Sequence, residues 1–155
     1  MKSRRTELEL EGAKSYAFLL LKFRQRSQKE LYLRLKRKKF PEDIIYKVIS
    51  FLVQKEFIDD KVFARSWLRS RLKRPFGLRR IKEELKFKGI DKEIIEDELA
   101  LVKKDYREED VVGKIARQRL EKLKNIDPAK ARQRVYAYLL RRGFSPEVVS
   151  EAIKQ

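Results

Sequence analysis

Apolar residues recur at helical spacing along almost the whole chain. In the first such stretch they stand at Ala13, Tyr16, Ala17, Leu20 and Leu21, three or four positions apart, so that they share one side of a helix. The same spacing returns in later stretches, and none shows the alternation of apolar and polar residues that marks a half-buried strand. The pattern predicts an all-α protein of nine helices.

Capping and breaking residues separate these helices. Ser27 followed by Glu30 forms a capping-box pattern, and Pro41 can open the next helix because the first helical position needs no N–H group. Pro75–Gly77 breaks the chain, and Asp91 predicts another N-cap. The helices are therefore short and joined by tight connections.

The helices form three copies of one unit. Periods near 50 residues with three helices each indicate stacked modules. We therefore predict a flexible segment at 1–12 and three tandem three-helix repeats at 13–58, 59–106 and 107–155, stacked into an elongated, curved body of either hand. Six apolar positions recur in register: Leu31, Leu35, Phe40, Ile44, Ile45 and Ile49 in the first copy, their equivalents 50 residues later in the second, and those a further 54 residues later in the third.

One turn position differs among the copies. Gly89 and Gly143 occupy it in the second and third copies, where glycine can take the left-handed conformation that ends a helix. The first copy has Lys39 there. That turn either differs in the first copy or costs roughly 1 kcal/mol in backbone strain.

The composition favours a binding protein over an enzyme. The chain has 41 Lys and Arg against 24 Asp and Glu, a net charge of +17, which favours a polyanionic partner over mere solubility. It contains no cysteine and no histidine, which excludes disulfides and removes the commonest general base and zinc ligands. We expect no catalytic residues, no metal and no cofactor. No apolar run approaches the ~20 residues of a membrane span, so we expect a cytoplasmic protein without a membrane partner.

The helix that begins near Arg79 has a cationic side opposite its apolar side. Ile81 and Leu85 share one side, and Arg79, Lys82 and Lys86 share the other. The three cations lie within roughly 11 Å along the axis, which suits a row of phosphates or carboxylates better than it suits a merely solvated face.

Other cations cluster upstream and at equivalent helix ends. Those in the first and third copies also favour the negative end of a helix macrodipole, so binding and capping are both open there. The full set that we predict to contact nucleic acid or a protein–DNA filament is Lys29, Lys36, Arg37, Lys38, Arg71, Lys73, Arg74, Arg79, Arg80, Lys82, Lys86, Arg141 and Arg142.

Two further groups of residues have structural interpretations that we prefer. Asp59 and Asp60 lack other metal ligands nearby and stand at a helix start, which favours capping over a metal or acid–base site. Trp67 and Phe63 could stack on bases, but they lie on an apolar side and predict core packing. The tyrosines better placed for surface contacts are Tyr32, Tyr136 and Tyr138.

Several short motifs allow comparison with known families, and they are Phe57-Ile58-Asp59-Asp60, Phe63-Ala64, Arg71, Gly77, Arg80-Ile81, Glu84-Leu85, Lys88-Gly89-Ile90 and Arg141-Arg142-Gly143-Phe144-Ser145. With these motifs, the sequence over residues 13–155 resembles the bacterial RecX family of regulatory proteins. The resemblance implies three tandem three-helix repeats and no catalytic residues. It also implies binding to the RecA recombinase, along the groove of the RecA–DNA filament, with inhibition of recombinase, ATPase and coprotease activity as the usual result.

Three functional hypotheses remain open from the sequence. The leading one is a monomeric regulator that contacts the RecA filament and the backbone of single- or double-stranded DNA. The second is a helix-turn-helix regulator, although the third helices begin PEDII, DKEII and SPEVV, which are acidic and unsuited to a DNA groove. The third is a backbone-directed nucleic-acid binder without a recombinase target.

Overall fold

The computed structural model describes residues 2–154, and within this range the chain forms nine α-helices and no strand. The all-α prediction is confirmed. Between residues 2 and 154 no helix combines the length and the apolar character needed to cross a membrane. The helices are α1 (Lys2–Phe23), α2 (Gln28–Arg37), α3 (Glu42–Gln54), α4 (Asp60–Leu72), α5 (Leu78–Phe87), α6 (Lys92–Lys103), α7 (Glu108–Lys122), α8 (Pro128–Arg141) and α9 (Pro146–Lys154).

Helices pack within consecutive triplets. Every helix pair with extensive packing lies inside α1–α3, α4–α6 or α7–α9, which we call the first, second and third modules. Each module has its own apolar core, and all the positions that recur at the 50- and 54-residue shifts lie in or against these cores. We propose module limits at 58/59 and 106/107, because each falls between the residues of two cores.

The surface area fits a stack of modules. The described structure exposes 10924 Å² to solvent, whereas a compact monomer of the same mass would expose about 8,300 Å². The excess follows from the modular packing, because each small core is covered only by its own three helices and the junctions between modules.

The prediction of a flexible segment at 1–12 is wrong from Lys2 onward, because residues 2–12 form the first half of α1. An ion pair one turn apart, Arg5 to Glu9 at 3.5 Å, supports the exposed turns. Leu10 packs partly against the first core. Gly12 is an interior residue of α1. The polar composition of residues 2–12 reflects their exposure to solvent rather than disorder.

The predicted caps are formed in part. Ser27 and Glu30 make a complete capping box at α2, and the Asp59 carboxylate accepts hydrogen bonds from the N–H groups of Lys61 and Val62 at α4. Asp91 occupies the N-cap position of α6, as predicted, but its side chain makes no capping hydrogen bond.

The modules meet through the ends of their second helices. At the junction of the first and second modules, Ser27 Oγ at the start of α2 donates to the carbonyl oxygen of Lys88 after α5, at 2.7 Å. At the next junction, the Gly77 N–H at the start of α5 donates to the carbonyl oxygen of Arg142 after α8, also at 2.7 Å. The helices α8, α5 and α2 therefore follow one another end to end, and each junction hydrogen bond satisfies a backbone carbonyl group at a helix end.

The junction of the second and third modules leaves no room for a side chain at Gly77 or at Gly143. A Cβ atom on Gly77 would collide with the Gly143 carbonyl group, and one on Gly143 would collide with the backbone and Cβ of Arg80. Gly143 also has a φ of +88°, which favours glycine. Two glycines thus allow the backbones of α5 and of the turn after α8 to touch.

The turn that differed among the copies is explained by the same geometry. A Cβ atom on Gly89 would lie 2.5 Å from Lys29 Cβ of the neighbouring module. Lys39 takes the same left-handed conformation, with φ +67°, but it is exposed after the end of α2. A side chain is tolerated there at a backbone cost of roughly 1 kcal/mol.

The collision at the second junction predicts that Gly77→Ala destabilises the protein by about 1–3 kcal/mol, because the added methyl group must push two backbones apart. Gly113→Ala is the matched control. A Cβ there meets nothing within 4 Å in the interior of α7, so we expect it to stabilise by roughly 0.5–1 kcal/mol. Chemical denaturation followed by circular dichroism measures both, and equal stability of Gly77→Ala and the parent would contradict the tight junction.

Candidate nucleic-acid and filament interface

Helix α5 presents cations opposite its buried side. Ile81 and Leu85 are fully buried in the second core, while Arg79 and Lys86 are exposed and Lys82 is half-buried. The helical spacing therefore separates the two sides as the sequence predicts. This arrangement places three cations on the side of the helix that faces away from the core.

These cations line a cleft of about 690 Å³ at the junction of the second and third modules. Arg141 joins them from the end of α8, so the junction adds a cation that lies far away along the chain. Glu83 is the carboxylate in the lining, and it accepts a hydrogen bond from Lys86 Nζ at 3.1 Å. The cleft is strongly cationic and suits phosphate or carboxylate groups. Its lining residues are Arg79, Arg80, Lys82, Glu83, Lys86, Leu140, Arg141, Gly143 and Pro146.

Arg71 and Arg80 both form ion pairs with Glu84 within the second module. Arg71 donates two hydrogen bonds to the carboxylate, at 2.7 and 3.0 Å, and Arg80 donates one at 3.2 Å. Trp67 Nε1 donates a further bond at 2.8 Å. Burial opposes ionisation of Glu84, but these hydrogen bonds outweigh it and hold the pKa below its ordinary value. Arg71 is therefore a weaker candidate for phosphate contact than the sequence suggested.

Three guanidinium groups make cation–π contacts with the ring of Phe76. The guanidinium carbon of Arg80 lies 4.1 Å from the ring centroid, that of Arg71 4.9 Å and that of Arg142 5.1 Å. Arg142 also lies over Tyr138, at 5.1 Å. Of these cation–π contacts, the one between Arg142 and Phe76 joins the second and third modules, so Arg142 has a structural role at the junction in addition to its predicted role in binding.

The cations predicted in the first module do not reach the cleft. Lys29 Nζ donates to the carbonyl oxygen of Phe87 at 3.2 Å, and Lys36 Nζ lies 3.7 Å from Glu42. Lys38 lies over the ring of Tyr16, and Arg37 is exposed at the end of α2. Lys73 and Arg74 are exposed in the α4–α5 connection, outside the cleft lining.

The paired aspartates have structural contacts. Asp59 caps α4, and Asp60 Oδ1 accepts a hydrogen bond from the Gln28 N–H at the start of α2, 2.9 Å away. Burial raises the pKa of Asp60, and neighbouring carboxylates add to the rise. Across residues 2–154 no group of acidic side chains could hold a metal ion. The preference for capping at Asp59 is confirmed.

The aromatic residues divide between the core and the surface. Phe63 is buried and stacks on Trp67 with ring centroids 5.9 Å apart, which confirms core packing for this pair. Tyr138 lies beneath Arg119, whose guanidinium carbon is 3.3 Å from the ring centroid. Tyr136 is half-buried against the third core, and Tyr32 is half-buried against the first.

The sequence patterns did not predict the environments of two residues, one exposed and one buried. Phe87 ends α5 with 78% of its surface exposed; its equivalents under the repeat are Arg37 and Arg141, and that substitution was the available signal. Glu98 is buried and pairs with Arg65 through two bonds of 3.0 Å. Its signal was a carboxylate at a position that is apolar in the other two copies.

Comparison with known proteins follows the same threefold division. The models described as the first, second and third three-helix domains of RecX match residues 13–52, 59–99 and 108–153. The chain belongs to the RecX family. The RecX regulatory protein of Clostridium beijerinckii is 35% identical over 92% of this chain and 67% of its own length. That of Mycolicibacterium smegmatis is 32% identical over 92% of this chain and 78% of its own length.

Solved RecX structures have the same fold. The crystal structure of RecX from Lactobacillus salivarius superposes with a TM-score of 0.81 at 25% identity, over 94% of this chain and 95% of that one. A second crystal structure of a regulatory protein RecX gives a TM-score of 0.83 at 22% identity, over 99% of this chain and 76% of that one. The arrangement of three modules is therefore shared at low sequence identity.

The junction of the first and second modules of this RecX-family chain contains an acid-sensitive ion pair. Glu30, whose side chain is 12% exposed, accepts hydrogen bonds from Arg24 and, across the junction, from Lys88 Nζ at 3.0 Å. Burial opposes its ionisation, but the hydrogen bonds from Arg24, Lys88 and the Ser27 N–H prevail and lower its pKa to about 2.

We expect Glu30→Gln to lower the free energy of unfolding at pH 7 by on the order of 1–3 kcal/mol. Because the pKa is depressed in the folded state, this stabilisation is complete above the unfolded-state pKa, near ~4.3, and is lost as the pH falls toward 2. Parent and variant should therefore converge in acid. Glu121→Gln, in an exposed pair with Lys124, should show no comparable loss at any pH. A constant difference between parent and Glu30→Gln from pH 7 to pH 3 would contradict the assignment.

Proposed function

We propose that this protein binds the RecA–DNA filament and modulates RecA activity, usually by inhibiting the recombinase, ATPase and coprotease functions. The observation that carries the proposal is the cationic cleft between the second and third modules, in a chain of the RecX family with a net charge of +17. A cleft formed by Arg79, Lys82, Lys86 and Arg141 can contact DNA phosphates or acidic patches on the recombinase.

The proposed mechanism is steric and electrostatic. An extended series of modules in the filament groove contacts adjacent recombinase protomers, so several weak contacts add through their high effective concentration. A groove occupied in this way resists the conformational changes that accompany ATP turnover and strand exchange. The protein contributes no reacting group under this proposal, and it acts as a monomer in the cytoplasm, where the filament forms.

The cleft can be tested by charge reversal. We expect Arg79→Glu, Lys82→Glu and Lys86→Glu together to abolish inhibition of the RecA ATPase on single-stranded DNA while the helical circular-dichroism signal is retained. The matched control reverses Lys47, Lys55 and Lys61, three exposed lysines outside the cleft. This control changes the net charge equally and should keep most of the inhibition. Full inhibition by the cleft variant would exclude this surface.

The helix-turn-helix alternative is tested by sequence preference. Helices α3 and α6 begin with acidic residues in their first turns, including Glu42, Asp43 and Glu93, which repel phosphates where a recognition helix would enter the groove. We therefore expect bare duplexes of unrelated sequence to bind with affinities within about twofold and with a steep dependence on salt. A tight footprint at one sequence in a duplex library would instead support a sequence-specific regulator.

A further inference from the structure

A row of alternating aromatic and cationic side chains crosses the junction of the first and second modules. It begins at Phe87, at the end of α5, and continues over Lys29, Tyr32 and Lys36 on α2 to Tyr46 on α3. We call these five residues the stripe. None of them lines the cationic cleft between the second and third modules.

Direct contacts connect the members of the stripe. Lys29 Nζ lies 5.6 Å from the centroid of the Phe87 ring and 3.2 Å from the Phe87 carbonyl oxygen. The rings of Tyr32 and Tyr46 are 5.8 Å apart, and Lys36 Nζ lies 5.6 Å from the Tyr32 centroid. Lys29, Tyr32 and Lys36 are one turn apart along α2, so they share one side of the helix. The stripe is therefore one continuous surface.

Two of the three aromatic rings of the stripe are largely open to solvent, while Tyr32 is half-buried. Phe87 is 78% exposed and Tyr46 is 57% exposed, although burying either ring would be favourable by a few kcal/mol. Glu42 is the carboxylate that contacts the stripe; it accepts the Tyr32 hydroxyl hydrogen bond at 2.8 Å and lies 3.7 Å from Lys36 Nζ. It orients the Tyr32 ring and leaves Lys29 and Phe87 unopposed on the other side of the stripe.

The alternation of rings and ammonium groups fits one class of ligand. Proteins bind single-stranded nucleic acid by stacking unpaired bases on aromatic rings while cations contact the backbone phosphates. A duplex does not offer its base faces to such rings, because they are stacked inside the helix. A purely apolar protein surface would offer no anionic group to the ammonium groups of Lys29 and Lys36.

The repeat adds an independent observation about Phe87. The equivalent helix-end positions in the first and third modules are Arg37 and Arg141, both exposed. A guanidinium group is planar and also stacks on bases. This position thus carries a planar group in every module, and in the second module that group is an uncharged ring.

We propose that the stripe binds single-stranded DNA, with unpaired bases stacked on Phe87 and Tyr46 and with phosphates contacted by Lys29 and Lys36. The inference rests on the proposed function for the choice of DNA, and it specifies which form of DNA this surface recognises. It concerns free DNA, so its test contains no recombinase and its outcome is separate from that of the ATPase experiment.

The test compares two single strands of equal charge. Fluorescence anisotropy at fixed salt measures binding of the full-length protein to an oligo(deoxythymidine) of about 20 nucleotides, and to a strand of the same length with abasic sites in place of the bases. Since both carry the same phosphates, only stacking separates them. We expect at least about tenfold tighter binding to the strand with bases. Equal affinities for the two strands would overturn the proposal, as would tighter binding to the matching oligo(uridine) or to duplex DNA.

Variants at Phe87 separate stacking from general apolar contact. Phe87→Leu should weaken binding to oligo(deoxythymidine) about tenfold and leave binding to the abasic strand within about twofold, whereas Phe87→Trp should retain tight binding. Phe23→Leu, at a phenylalanine of similar exposure (76%) outside the stripe, is the matched control and should change neither. The proposal is wrong if Phe87→Leu binds free DNA like the parent.

Discussion

The end-to-end contact between the second helices is the constraint on which the rest of this structure depends. Each module has a separate core, and extensive helix packing stays within modules. The relative placement of modules is therefore set by two small junctions, centred on Ser27 with Lys88 and on Gly77 with Arg142. Both surfaces to which we assign binding span these junctions. The cationic cleft needs α5 beside the end of α8, and the stripe needs the end of α5 beside α2.

A few partly buried carboxylates offset the repulsion among the many cations of this chain at the places where its modules meet. With a net charge of +17, like-charge repulsion opposes compact packing. Glu30 meets Arg24 and Lys88 at the first junction. Glu84 meets Arg71 and Arg80 beside the second. Burial opposes the ionisation of these acids, but their hydrogen bonds hold both pKa values below the ordinary range, so they remain ionised and offset the cations where modules approach. The remaining cations stay on the surface, where a polyanionic partner can reach them.

The modules share one architecture but differ in what they present. The second module supplies most of the cationic cleft, the first supplies most of the stripe, and the third surrounds Tyr138 with arginines. The turn after the second helix shows how position in the series governs sequence. Glycine is needed at Gly89 and Gly143, where a neighbouring module packs closely. The exposed Lys39 after α2 keeps a side chain despite its φ of +67°.

The sequence by itself determined the helices, their threefold repetition, the apolar core positions and the excess of positive charge. These features are local or periodic, so helical spacing and capping residues reveal them. Only the tertiary structure decided that Arg71 is paired with Glu84, that residues 2–12 continue α1, and that Phe87 stands exposed beside Lys29. Each of these depends on groups that are distant in sequence or on packing against another element. Helical periodicity tells which side of a helix is buried, but it does not tell which module end meets that helix.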